Sequence, residues 1–211
     1  MLIANNLSFE RSSKKIFHDI NISLPPKKII HIIGQNGIGK TTLVKVLSNI
    51  LSPTSGEIYW NSKNINKNSG LFFKNLTFIM DINTSKKNMT VNENILFWKK
   101  IFLSKINNEE IENLLKLLQI NQYKNVLLKY MSYGEIRKLE LCRLVIEDKK
   151  LWILDEPYLG LDKTMIQILN ETFNNHRNKG GMIIFTSHMQ PEISNLNEIN
   201  LNNNLNNHAH I

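Results

Sequence analysis

Apolar positions along this chain follow two rhythms. Residues 2–32 alternate and read as strands, with a turn at 10–15 and a break at Pro25-Pro26. The continuous run Ile29-Ile30-His31-Ile32-Ile33 reads as a buried strand. Leu43, Val46, Leu47 and Ile50 recur at helical spacing, to about Leu51. Pro53-Thr54-Ser55-Gly56 is a turn, 57–60 alternates like a strand, and 75–81 holds another short one. From Thr90 the pattern turns helical. Thr90-x-x-Glu93 is a capping box, with Ile95, Leu96, Trp98 and Ile101 on its apolar side. A leucine-rich helix follows at 109–118. Ser132-x-x-Glu135, a second capping box, opens a helix to about Ile146. Leu151-Trp152-Ile153-Leu154 reads as a buried strand, 163–176 as a helix and 182–186 as a last core strand. Beyond Leu196 the chain is polar, though Ile199 and Leu201 leave room for one short edge strand.

Strands alternating with helices imply an α/β domain with a mostly parallel sheet, covered on both faces. An antiparallel β part precedes it, and a helical block at about 84–150 interrupts the alternation as an inserted subdomain. We expect one domain over 1–196 and a polar tail over 197–211.

Composition narrows the classes. No run of 18 apolar residues is present, so no membrane-spanning helix is expected. The opening residues lack a basic segment followed by an apolar one, so no secretory signal is expected. Cys142 is the only cysteine, which rules out an internal disulfide and a zinc site of the Cys-pair type; we read it as a core residue. The net charge is +8, yet the lysines are scattered, and alanine occurs only at Ala4 and Ala209. This is the surface composition of a chain from an AT-rich genome, and nucleic acid is not an expected partner. Two tail histidines, His208 and His210, are read as inert.

The chemistry is concentrated in a few segments. Gly34-Gln35-Asn36-Gly37-Ile38-Gly39-Lys40-Thr41-Thr42 has the spacing of a phosphate-binding loop, and it lies between a buried strand and a helix, where such a loop must lie. Glycines let backbone N–H groups converge on phosphate oxygens, and the helix start adds partial positive charge. Lys40 can reach the β- and γ-phosphates, and the Thr41 hydroxyl can ligate Mg²⁺. The strand ending in Asp155-Glu156-Pro157 supplies two carboxylates. Asp155 can hold Mg²⁺, which takes oxygen ligands and retains water. Glu156 can orient or deprotonate an attacking water.

Met131-Ser132-Tyr133-Gly134-Glu135, about twenty residues before the acidic strand, resembles the Leu-Ser-Gly-Gly-Gln signature of ATP-binding cassette (ABC) ATPases. Residues Pro157-Tyr158-Leu159-Gly160-Leu161-Asp162 resemble that family's D-loop, and Ser187-His188 its switch histidine. The resemblance covers nearly the whole chain. It implies an ABC-type P-loop NTPase that hydrolyses ATP with Mg²⁺. It further implies a head-to-tail homodimer that sandwiches ATP, with Ser132 and Gly134 completing the partner's pocket in trans and His188 contacting the γ-phosphate. Flanking residues, including Glu93-Asn94-Ile95-Leu96-Phe97-Trp98, His176 with Gly180-Gly181, and the short C-terminus, resemble the ATPase subunit of the cytochrome c maturation (heme exporter) complex. That implies integral membrane partners that handle heme, and a peripheral place on the cytoplasmic face of the inner membrane or the mitochondrial matrix face. Alternatives are the ATPase of a drug or polysaccharide exporter, a soluble cassette protein, or a P-loop kinase.

Three positions depart from the ABC pattern. Asp81 stands where most members have Gln; it is a further candidate Mg²⁺ ligand but adds negative charge near the γ-phosphate. Arg11, with Phe9 and Phe17, occupies the neighbourhood of the usual adenine-stacking aromatic. Tyr133 replaces a small residue and is expected to crowd the partner's phosphate.

Overall fold

The computed structural model describes residues 1–202. The expected tail, including His208 and His210, lies mostly outside them.

Two sheets build the domain. The first is antiparallel, in the order β2-β1-β4-β5, from β1 (Leu2–Arg11), β2 (Lys14–Leu24), β4 (Ser55–Trp60) and β5 (Lys63–Asn64). The second is parallel, in the order β6-β7-β8-β3-β9. It contains β3 (Ile29–Ile33), β6 (Leu76–Ile79), β7 (Leu151–Leu154), β8 (Met182–Thr186) and β9 (Asn197–Asn200). Strands β7 and β8 are buried along their whole length, as continuous apolar runs between two layers require. Strand β9 is the edge strand for which Ile199 and Leu201 left room. It pairs with β3, and Leu201 is buried just after it, so the sheet continues past Leu196.

Helix α1 (Lys40–Leu47) follows β3 and packs Leu43, Val44, Val46 and Leu47 into the core between the two sheets. It ends earlier than its apolar spacing predicts: Ile50 is half exposed. A short helix α2 (Ser69–Phe73) precedes β6. Helix α7 (Lys163–Asn178) covers the other sheet face through Leu169 and Phe173. At the start of β7, the Trp152 ring stacks on His176 with centroids 3.6 Å apart and planes 8° from parallel. His176 lies so close over Gly181 that a Cβ there would fall 2.2 Å from its ring.

The helical block comprises α3 (Val91–Phe102), α4 (Asn108–Leu117), α5 (Tyr133–Leu141) and α6 (Arg143–Ile146). Both expected capping boxes form, and a third, Asn107 with Glu110, opens α4. The single helix expected from Ser132 to Ile146 is broken at Cys142 into α5 and α6. Ile136, Leu139, Cys142 and Ile146 face the apolar centre of the block. Arg137, Glu140, Arg143 and Glu147 form a second stripe that turns to β6 and the loop after it. Such alternating charge usually marks a solvated face. Here Arg137, Glu140 and Glu147 are buried.

Candidate nucleotide site

The phosphate loop is made by backbone conformation. Gly39 caps α1 at φ 113° and supplies no side chain to the cap. A Cβ there would sit 2.6 Å from Ile16 Cγ2, so β2 presses against the loop and only glycine fits. Leu43 N–H is the first in α1 to close a helical bond, to Gly39 O at 2.8 Å. The earlier amides thus point at the loop's mouth, where an anion can meet them. Asn36, Gly37, Gly39, Lys40, Thr41, Thr42, Asp81, Glu156 and His188 line one cavity of about 310 Å³. Of the expected loop residues, Gly34 and Ile38 do not face it. Gly34 lends its carbonyl to Lys40, and the Ile38 side chain packs against the core.

Lys40 folds back over the loop. Its ammonium donates to Gly34 O at 2.8 Å and Gln35 O at 3.1 Å and lies 3.4 Å from His188 Nε2. Burial lowers its pKa, and Glu156 and Asp155 pull it back up. Glu156 Oε1 lies 3.4 Å from the same His188 Nε2 but makes no hydrogen bond. The nitrogen can accept from Lys40 or donate to Glu156, not both at once. His188 N–H donates to Glu156 Oε2 at 3.3 Å. Lysine, carboxylate and histidine thus form one polar cluster at one end of the cavity.

Asp155 lies behind them, 1% exposed. Its Oδ1 accepts from the Thr186 hydroxyl at 2.6 Å, while its Oδ2 is buried without a partner. An orphaned buried carboxylate oxygen is costly unless something positive or a water completes it. With the Thr41 hydroxyl among the cavity residues, this donor set fits Mg²⁺, which in phosphate sites needs only one or two carboxylates. Asp81 also lines the cavity, where its carboxylate accepts from Ile82 N–H at 3.0 Å.

Other expected residues lie elsewhere. Ser132 and Gly134 are outside this cavity, at the start of α5, where Ser132 caps the helix and Gly134 lies against Gly160. Tyr133 is exposed but lies against its own chain: its hydroxyl donates to Asp81 O at 2.7 Å, and its ring covers Gly160. Arg11 is exposed at the β1–β2 turn. Phe17 is buried in the core, its ring 6.1 Å from that of Phe9. Cys142 is fully buried, as expected, and burial pushes its thiol pKa up.

Sequence reading missed three supports. Thr186 ends β8, and its hydroxyl meets both Asp155 and the Glu156 N–H. His31 stacks on Phe185, and its Nε2 lies 3.1 Å from Ser187 O, beside His188. Arg137 reaches the carbonyls of Met80, Asp155 and Glu156. The signal for the last was a charged stripe at helical spacing, which resembles an ordinary exposed face.

Known proteins resemble this chain in sequence and in fold. The ABC transporter family model matches residues 17–159. A cytochrome c biogenesis ATP-binding export protein CcmA from Haemophilus influenzae is 30% identical over 200 residues, covering 95% of this chain and 94% of that protein. The CcmA of Reclinomonas americana is 35% identical over 190 residues, covering 89% and 84% of the two chains. Among solved structures, a putative ABC transporter ATP-binding protein from Pyrococcus furiosus superposes with a TM-score of 0.83 at 23% identity. It covers 96% of this chain and 98% of that one.

Proposed function

The chain belongs to the ABC transporter family, and on that premise we propose that it is the ATP-hydrolysing subunit of a membrane complex serving cytochrome c biogenesis by handling heme. ATP is its substrate. The loop amides of residues 36–39 and Lys40 hold the phosphates, with Thr42 beside them. Thr41 and Asp155 would hold Mg²⁺, and Asp81 lines the same cavity as Thr41. The ion, when bound, neutralises charge on the β- and γ-phosphates. Glu156 accepts a proton from the attacking water or orients it, and His188 contacts the γ-phosphate.

The pocket is half a site. Ser132 and the Gly134 amide act on the nucleotide of a second copy, head to tail, so two ATP molecules lie between two chains. The complex includes integral membrane subunits, with this chain peripheral on the cytoplasmic or matrix face. In support, no helix among the described residues is long and apolar enough to cross a membrane.

The observation that carries the hydrolytic reading is the convergence of Lys40, Glu156 and His188 on one cavity beside the phosphate loop. Replacing Glu156 by Gln keeps the shape and removes the base. Turnover should fall by about 10²-fold or more, and an ATP-bound dimer should accumulate on size-exclusion chromatography. Wild-type turnover in that variant would remove Glu156 from the role. Purification from membranes tests the rest: two heme-binding membrane subunits should accompany the chain, and recovery of ribosomal RNA or DNA instead would sink the transport reading.

A further inference from the structure

The candidate base stands on an unusual piece of backbone. Glu156 has φ +46°, in the left-handed region that a residue with a long side chain rarely adopts. The conformation has a use. In an extended strand, Asp155 and Glu156 would point to opposite faces. With the left-handed turn, Asp155 stays buried behind the loop while Glu156 lines the same cavity as Lys40.

Two groups grip that turn from opposite sides. The Glu156 N–H donates to Thr186 Oγ1 at 3.0 Å. The Glu156 carbonyl accepts from Arg137 Nη2 at 2.8 Å, and the same nitrogen donates to Asp155 O at 3.0 Å. Nη1 of Arg137 donates to Met80 O at 2.5 Å, one residue before Asp81. Arg137 is fully buried, yet its hydrogen bonds go to main-chain carbonyls and not to a carboxylate. Burial disfavours its charge, and Tyr133, Glu140, Asp81 and Asp155 nearby partly offset that. A buried guanidinium spent on three carbonyls from two strand ends fixes backbone geometry, because its planar fork holds their relative positions.

We propose that Arg137 is a positioning residue for hydrolysis, holding Glu156 in its left-handed conformation so that the carboxylate faces the phosphate cavity. The inference rests on the reading of Glu156 as base. Without the fork, the Glu156 carbonyl loses its partner, and the turn relaxes toward the extended conformation that carries the carboxylate away. The hydrogen bonds of Arg137 go to Met80, Asp155 and Glu156 and none reaches the phosphate loop, so its loss should lower turnover far more than nucleotide affinity.

The test is a cycle of Arg137→Met, Arg137→Lys and Glu156→Gln, alone and combined, with kcat, KM and the affinity for a fluorescent ATP analogue measured for each. Arg137→Met, with a similar stem and no donors, should lower kcat by about 10- to 100-fold and leave nucleotide affinity within about threefold. Arg137→Lys, which keeps one donor group, should recover part of the loss. On the Glu156→Gln background, Arg137→Met should produce no further fall in residual turnover, because both act through one carboxylate. Unchanged kcat in Arg137→Met, an equal further fall on the Glu156→Gln background, or parallel loss of affinity and kcat would each overturn the proposal. If Arg137→Met does not fold, Arg137→Lys carries the same cycle and criteria, and wild-type kcat in folded Arg137→Lys overturns it. A dead Glu156→Gln with an unimpaired Arg137→Met sinks this proposal alone; a fully active Glu156→Gln sinks it together with the base reading.

Discussion

The phosphate loop and the start of α5 both present helix N-termini, yet they are built in opposite ways. The loop is backbone held by apolar contact: Gly39 fits against Ile16, and α1 buries four apolar side chains beneath it. The α5 side adds a buried charged network to its apolar contacts. Glu140 accepts from Thr84 N–H at 2.6 Å, Ser85 N–H at 2.5 Å and Ser85 Oγ at 2.6 Å. Arg143 joins Glu140 to Glu147 and reaches Phe78 O, and Glu147 accepts from Thr77 at 2.9 Å. Burial pushes the Glu147 carboxyl pKa up, while Arg143 and Thr77 hold it down. Apolar close packing fixes one arrangement, whereas hydrogen bonds between two layers can be exchanged as the layers move. The phosphate loop is thus fixed by close packing, and the start of α5 is tied to β6 and the loop after it by polar contacts.

Three experiments would break or sharpen that contrast. The largest effect is expected at Glu140. Its replacement by Ala removes the acceptor of the Thr84 and Ser85 amides and one of the acceptors of Arg143, and should cost about 3 kcal/mol in denaturant unfolding. Nucleotide affinity of the protein that remains folded should be unchanged, because the loop does not depend on this network. An equal loss of affinity would merge the two regions into one. Next, Gly39→Ala combines a left-handed backbone with a collision against Ile16 and should cost about 2 kcal/mol. Here nucleotide affinity should fall steeply. Adding Ile16→Ala should restore part of the stability but not the affinity, because the backbone strain remains. If affinity returns, contact rather than backbone sets the loop.

The smallest effect is a pH dependence outside both regions. Burial lowers the His176 pKa to about 4. A histidine depressed in the folded state contributes fully above its unfolded pKa near 6.5, and stability falls as pH drops from there toward 4. Between pH 7 and pH 5 the loss should be about 1 kcal/mol, allowing for the ring's partial exposure. His176→Gln should flatten that slope in thermal melts and leave the ratio of kcat to KM at pH 7 unchanged. A slope that persists in the variant would place the acid-sensitive group elsewhere.

The contrast also explains what the sequence revealed. The loop was legible because its nine residues are contiguous and their meaning is local: glycines at turns, a strand before, a helix after. Asp155 and Glu156 were legible for the same reason. The side chains that support them were not. Arg137 meets Met80 across 57 positions, and Thr186 meets Glu156 across 30. No local rule distinguishes a buried charged stripe from a solvated one. Tyr133 shows the limit on the other side. Its bulk was apparent, but only the fold shows that it spends that bulk on Asp81 and Gly160 of its own chain.

The meeting of Gly134 with Gly160 bears on how this protein can change over generations. A methyl on Gly134 would lie 2.8 Å from Gly160 O, and one on Gly160 would lie 2.9 Å from the Tyr133 ring. Gly134 cannot gain a side chain unless the Gly160 backbone retreats, and Gly160 cannot unless the Tyr133 ring turns away. Mutational paths through this surface are therefore coupled: a lineage that enlarges Gly134 must move the backbone at Gly160, and one that enlarges Gly160 must first reorient or shrink Tyr133.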